Sequence, residues 1–344
     1  MKKSVKIIDT TLRDGMHAMS HSFSPENVAD IVGKLAAAGS QIIEVSHGDG
    51  LNGSSLQYGI SPYDERELLA AACRNIGDAR LAAMLIPGIG TVKYLESLQQ
   101  YNIKTVRVAT HITEASAGAR HIRECKRLGM ETIGFLMMVH LENPEAILKQ
   151  AGLFEEYGAD VVYCADSSGA LLPEDVKKII GILKSKLKIP VGFHAHNNLG
   201  LAVGNSLAAI EAGADYIDTT LRGLGASAGN APHEVITAIL DKMGVDTGED
   251  VNMLMDAAED IVAPLMKRPL TIDKYALVIG YAGVYGSFFL HAKRIAEKFG
   301  IDGRELLYQL GRKKIIGGQE DKIMEFAYEL SKKNKEVKNY GKQF

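Results

Sequence analysis

Between Val5 and Thr219, short runs rich in β-branched residues alternate with longer amphipathic stretches, and the alternation repeats eight times. No other feature restricts the fold as tightly. Strands separated by helix-length crossovers pair in parallel, so the pattern predicts an α/β fold. The predicted strands span 6–9, 41–45, 80–85, 105–109, 131–138, 160–164, 190–194 and 216–219, and helices are expected over 28–38, 66–75, 92–99, 115–128, 144–157, 173–187 and 201–212. Ser24-Pro25-Glu26 and Asn143-Pro144-Glu145 each set a capping side chain before a proline at the first helical position. Eight units suit a closed (β/α)8 TIM barrel, although counting alone also admits an open doubly wound sheet.

Past Asp246 the alternation stops. Residues 251–266 read as a helix, Pro264 and Pro269 punctuate, and 273–281, 284–299, 304–310 and 320–330 read as helices with no strand among them. The expected organisation is a barrel domain over 1–265 followed by a small all-α domain over 266–344. Tyr281, Tyr285 and His291 fall in the second region at spacings suited to core packing, and the lysine-rich stretch 332–343 reads as a solvated, frayed end. A formal charge of −3 offers no attraction for nucleic acid or an anionic membrane. Cys73, Cys125 and Cys164 form neither a disulfide framework nor a Cys-x-x-Cys site, which fits a reducing cytoplasm. Lys2-Lys3 runs directly into strand-like Val5 to Ile8 and polar Asp9, without a signal-peptide core, and no run approaches the ~20 apolar residues of a membrane span.

Polar residues gather at the C-terminal ends of the predicted strands, where a barrel builds its active site. The seventh strand ends in Phe193-His194-Ala195-His196-Asn197-Asn198. Side chains two apart on a strand point the same way, so His194 and His196 offer two imidazoles on one side. An isolated His-x-His is more often structural than a ligand pair; its position at a strand end favours ligation. Asp14, after the first strand, completes a two-histidine, one-carboxylate set with positions left for substrate. The second strand ends in Glu44-Val45-Ser46-His47, and Ser167 follows the sixth. The glycine-rich segment 222–230 after the eighth is no P-loop and is assigned no phosphate role.

Arg13-Asp14, Glu44 and His194-x-His196-Asn197 together resemble the DRE-TIM metallolyases, divalent-metal barrel enzymes with an HMG-CoA lyase-like barrel that make or break carbon–carbon bonds through an enolate. Arg13-Asp14-Gly15-Met16-His17, His47-Gly48-Asp49-Gly50-Leu51, Leu85-Ile86-Pro87-Gly88-Ile89-Gly90-Thr91 and Gly283-Val284-Tyr285-Gly286-Ser287-Phe288 narrow the resemblance to the 4-hydroxy-2-oxovalerate aldolases of aromatic-ring degradation. The resemblance implies a class II aldolase that cleaves 4-hydroxy-2-oxopentanoate to pyruvate and acetaldehyde without a Schiff-base lysine. It implies Asp14, His194 and His196 as ligands of Mn²⁺, with Mg²⁺ or Co²⁺ possible. Arg13 is the implied enolate stabiliser, Glu44 its carboxylate partner and His17 the general base. Tyr285 and Ser167 are implied to position the substrate, together with Arg13 and His194. An acylating acetaldehyde dehydrogenase is the implied partner, bound through the helical domain. Asn198 departs from the wider superfamily, in which Asp is common there. Met84 and Leu85 are candidate contacts for the aldehyde. The rival within the superfamily is a Claisen-type acyl-CoA transferase or hydroxyacyl-CoA lyase; outside it, the same ligand set suits an iron oxygenase.

Overall fold

In the computed structural model, which describes the backbone of residues 4–340 and the side chains of 4–333, the strands close into one all-parallel barrel in sequence order. They are β1 (Lys6–Leu12), β2 (Ile42–Val45), β3 (Arg80–Leu85), β4 (Ile103–His111), β5 (Glu131–Met137), β6 (Val161–Asp166), β7 (Val191–Ala195) and β8 (Tyr216–Thr219). Closure is made by β8 against β1, with Lys6 opposite Tyr216 and Asp9 opposite Thr219. That pairing removes the doubly wound alternative.

Around the barrel run α1 (Gly15–Ala18), α2 (Pro25–Ala37), α3 (Glu65–Asn75), α4 (Val92–Ser97), α5 (Ala119–Arg127), α6 (Pro144–Tyr157), α7 (Pro173–Lys186), α8 (Ala202–Glu211) and α9 (His233–Lys242). Both anticipated caps form: Ser24 Oγ accepts from the Asn27 amide at 3.2 Å and Asn143 Oδ1 from the Ala146 amide at 2.9 Å. The helix α10 (Val251–Asp256) continues through a π turn into α11 (Ala263–Leu265), and then come α12 (Lys274–Ala282), α13 (Phe288–Phe299), α14 (Gly303–Arg312) and α15 (Asp321–Tyr340). These last four pack around their own core of Ile279, Phe288, Leu306, Leu310 and Ile323. No helix among the described residues is long and apolar enough to cross a membrane.

Strand parity divides the barrel side chains into two sets. Ile8, Ile42, Met84, Phe135, Tyr163 and Tyr216 fill the interior, while Ile7, Ile43, Leu85, Val108, Phe193 and Ile217 pack under the helices. The same parity turns Glu44, Arg107, His194 and Asp218 inward. Neither the one-turn α1 nor α9 was anticipated, and three expectations need correction. Residues 115–118 form a 3-10 turn ahead of α5. The helix expected from 284 begins at Phe288, because the backbone just before it is engaged on the barrel: the Gly286 amide donates to the Ser167 carbonyl at 3.3 Å. Tyr281 is 76% exposed instead of buried, edge-on to Tyr308. The solvated end expected over 332–343 lies, from residue 334 onward, outside the described side chains.

Candidate active site

The mouth of the barrel, at the strand C-terminal ends, holds a narrow cavity lined by Arg13, Asp14, His17, Gly48, Met84, Ser167, His194, His196, Ala226 and Tyr285. Arg13 and Asp14 leave the end of β1; His17 lies one turn on, in α1; Ser167 follows β6; His194 is on β7 and His196 just beyond it. Tyr285 arrives from the segment between α12 and α13. That segment sits against the barrel through Gly286 and through a contact of 3.1 Å between His140 Nε2 and the Gly283 carbonyl. A Cβ on Gly286 would stand 2.9 Å from the Ser167 carbonyl, so only glycine permits the close approach.

Three acceptor atoms meet in this cavity. Asp14 Oδ2 is 3.2 Å from His194 Nε2 and 3.7 Å from His196 Nε2, and the two imidazole nitrogens are 3.2 Å apart. Donors bonded at about 2.1 Å to one ion, at right angles, stand about 3 Å apart, so this triangle fits a divalent cation. Asp218 Oδ2 lies 2.8 Å from His194 Nδ1 and accepts its hydrogen bond, leaving Nε2 to face the other donors; burial opposes a charged ring, but Asp14 and Asp218 outweigh it and raise the imidazole, so an ion at Nε2 would bind in place of a proton. Burial opposes ionisation of Asp14, but Arg13 and the two histidines outweigh it and hold the carboxyl well below its usual range. Burial pushes His196 down to about 3, leaving it in the neutral form a ligand needs. The glycine-rich loop has a structural part here: its Ala226 amide donates to Asp14 Oδ1 at 3.1 Å.

Arg13 is held on two sides. Its Nε donates to Glu44 Oε2 at 2.8 Å and its Nη1 to Asp14 Oδ2 at 2.7 Å, while its buried Nη2 has no protein partner. A guanidinium fixed by two carboxylates with one edge free is a preorganised donor for an anionic oxygen. Glu44 is fully buried behind Arg13 and does not line the cavity, so its place is that of a positioning residue. Ser167 Oγ accepts from the Met138 amide at 3.1 Å and can donate its own proton into the cavity. Burial raises the Tyr285 phenol, with Asp49 adding to the effect, so the hydroxyl stays protonated as a donor. Of the two candidate aldehyde contacts, Met84 lines the cavity, whereas parity turns Leu85 into the outer core.

Matching the chain to known proteins adds a family. A model described as HMGL-like matches residues 4–261, and one for a DmpG-like communication domain matches 270–332. The 4-hydroxy-2-oxovalerate aldolase of Carboxydothermus hydrogenoformans is 57% identical over 98% of this chain and 100% of its own, and that of Moorella thermoacetica 54% over 96% and 98%. The chain belongs to the 4-hydroxy-2-oxovalerate aldolase family. Membership makes it a carbon–carbon lyase of the metal-dependent aldolase type and disfavours the acyl-CoA alternative. The carboxyl transferase domain of Rhizobium etli pyruvate carboxylase, solved with pyruvate, shares the fold at 18% identity with a TM-score of 0.81, over 96% of this chain and 62% of that one.

Two buried residues of this aldolase site were missed from sequence. Arg107 lies against the rings of Phe135 and Tyr163, its guanidinium 4.6 and 4.4 Å from their centroids, and donates to Glu44 at 3.1 Å and Asp218 at 2.6 Å. It therefore stands behind both the Arg13 partner and the His194 partner. The available signal was inward parity: Arg107 and Asp218 share a face with Ala109 and Tyr216. Asn198 also gains an explanation. Its Nδ2 donates to the Ser168 carbonyl at 2.9 Å and its Oδ1 accepts from the Ala228 amide at 3.1 Å, a two-way link that a carboxylate cannot make.

Proposed function

We propose that this chain cleaves 4-hydroxy-2-oxopentanoate to pyruvate and acetaldehyde, with Mn²⁺ (Mg²⁺ or Co²⁺ as alternatives) held by Asp14, His194 and His196. The observation that carries the reading is the meeting of those three donors beside the free Nη2 of Arg13 and the ring of His17. A divalent ion held there supplies Lewis-acid polarisation to a chelating 2-oxo acid. Arg13 donates to the oxygen on which charge grows as the C3–C4 bond breaks, and Glu44 keeps the guanidinium in place. His17 takes the C4 hydroxyl proton as the aldehyde forms; a proton then returns to C3, so that the products together hold the atoms of the substrate. The Tyr285 and Ser167 hydroxyls orient the substrate.

The decisive assay is pyruvate release by metal-stripped protein with and without Mn²⁺, coupled to lactate dehydrogenase. Metal-dependent release is expected, and silence with every divalent ion would remove the reading. His17→Ala should lower kcat by ~10²-fold or more while leaving Mn²⁺ binding intact, the usual scale of a general base; unchanged turnover would exclude His17 from that role.

The match of 270–332 to a communication domain supports an association of the helical region, taken as 266–344 behind a barrel domain of 1–265, with an acylating acetaldehyde dehydrogenase that consumes the aldehyde. Co-purification of the two proteins through size-exclusion chromatography tests it. A role in aromatic-compound catabolism in the cytoplasm accords with this chemistry.

A further inference from the structure

Beside His17, the turn after β2 carries a carboxylate that the reaction as described does not use. Asp49 is 5% exposed, and its carboxylate receives no hydrogen bond among the described residues. The nearest nitrogen, His47 Nδ1 at 3.8 Å, already accepts from the Asp49 amide at 3.1 Å, while His47 Nε2 faces the Gly59 carbonyl at 3.0 Å. The His47 proton therefore sits on Nε2, and Nδ1 has none to offer Asp49.

His21 stacks flat on His47, with centroids 3.8 Å apart, and stands edge-on to His17 at 5.2 Å. Burial, with a smaller contribution from His17, lowers His21 to about 2 and His47 to about 4, so both rings are neutral and neither balances the carboxylate. A carboxylate oxygen of Asp49 and ring nitrogens of His17 and His21 all lie within 4.8 Å of one another, a span closed by one water or a small side-chain rotation. Burying an unpaired carboxylate is expensive unless a partner cation forms beside it. The Nε2 edge of His17 is pressed onto this turn, since a Cβ on Gly48 would come within 2.7 Å of it.

We propose that Asp49 is a positioning residue for His17: its carboxylate orients the imidazole and stabilises the imidazolium formed when the ring takes the substrate's hydroxyl proton. The two cavities agree with this division of labour. His17 lines the inner cavity and Asp49 only the adjoining chamber of about 650 Å³, so the carboxylate reaches the base without lining the cavity of the metal donors. The attraction is weak while the ring is neutral and gains its full strength when positive charge appears on it. Its effect should fall on turnover, not on binding.

The proposal rests on His17 being the base, and a double-mutant cycle separates the two ideas. Wild type, Asp49→Asn, His17→Ala and the double variant are compared in kcat and KM for 4-hydroxy-2-oxopentanoate at saturating Mn²⁺, with Mn²⁺ affinity and Tm measured on each. Asp49→Asn is expected to lower kcat by about 10- to 100-fold with KM and Mn²⁺ affinity within about twofold, and to add nothing to His17→Ala. Asp49→Ser, smaller and equally uncharged, should show the same split and stands in if the asparagine variant does not fold. Full kcat in the Asp49 variants beside a crippled His17→Ala would overturn the proposal while leaving the base intact. Additive losses, or a loss confined to KM, would also overturn it, whereas full kcat in His17→Ala would dismiss the base and Asp49 with it.

Discussion

Behind His194 stand two residues that do not line the cavity. Asp218 accepts at His194 Nδ1, the arrangement the proposed ligand role requires, and is itself held by Arg107. Replacing Asp218 by Asn keeps the shape but removes the charge that makes the imidazole a strong donor. The expected outcome is a Mn²⁺ affinity lower by about 10- to 100-fold, the common cost of losing such a support, with the barrel still folded. Direct Mn²⁺ titration of the purified variant decides it, and an unchanged dissociation constant would mean that Asp218 serves only the fold. His194 and His196 were legible from spacing, because residues two apart on a strand share a face whatever surrounds them, and Asp14 was joined to them only as the carboxylate that a metal site lacked. Asp218 and Arg107 were not, because a polar residue in a short strand has no meaning until the barrel closes and one face becomes the interior.

Among the elements, the segment before α13 carries Tyr285 to the cavity. It delivers Tyr285 only because the Gly286 backbone can approach the Ser167 carbonyl, and the helical pattern read from 284 conceals this. Gly286→Ala should push the segment off the barrel and displace the phenol. A shift of about 1 Å at a positioning group costs on the order of 10²-fold, so kcat should fall strongly while Mn²⁺ affinity stays near wild type. Equal kcat in the variant would show that the segment tolerates the methyl group and that Tyr285 is not held by this contact. Periodicity reports which face of a helix is apolar; it is silent on where a chain stops being helical to reach across to another unit.

The whole barrel is tied at its seam by His233, at the start of α9. Its Nδ1 is 2.8 Å from Asp9 of β1 and its Nε2 2.9 Å from Glu249, with no exposed surface. Burial opposes the charge, but Glu249 and Asp9 outweigh it and raise the imidazole to about 10. A histidine whose folded pKa exceeds the unfolded value of about 6.5 stabilises fully below that value, and the contribution fades as pH rises through about 10. Urea midpoints should therefore decline between these limits. In His233→Gln the decline should flatten, and stability at pH 7 should drop by about 3–5 kcal/mol because two buried carboxylates lose their cation. A wild-type midpoint level across that range would rule out the charged pair.

The sequence by itself determined the eight alternating units, the strand ends that carry polar residues and the shared face of His194 and His196. Those depend on local periodicity and on which residues sit next to each other along the chain. Only the tertiary structure decided that the sheet closes, that Arg107 joins the supports of Arg13 and His194, that Met84 faces the cavity while Leu85 does not, and that Asp49 stands beside His17. Each of these joins residues tens or hundreds of positions apart, or depends on which strand face becomes the inside. Hydrophobic pattern constrains neither until the chain has folded.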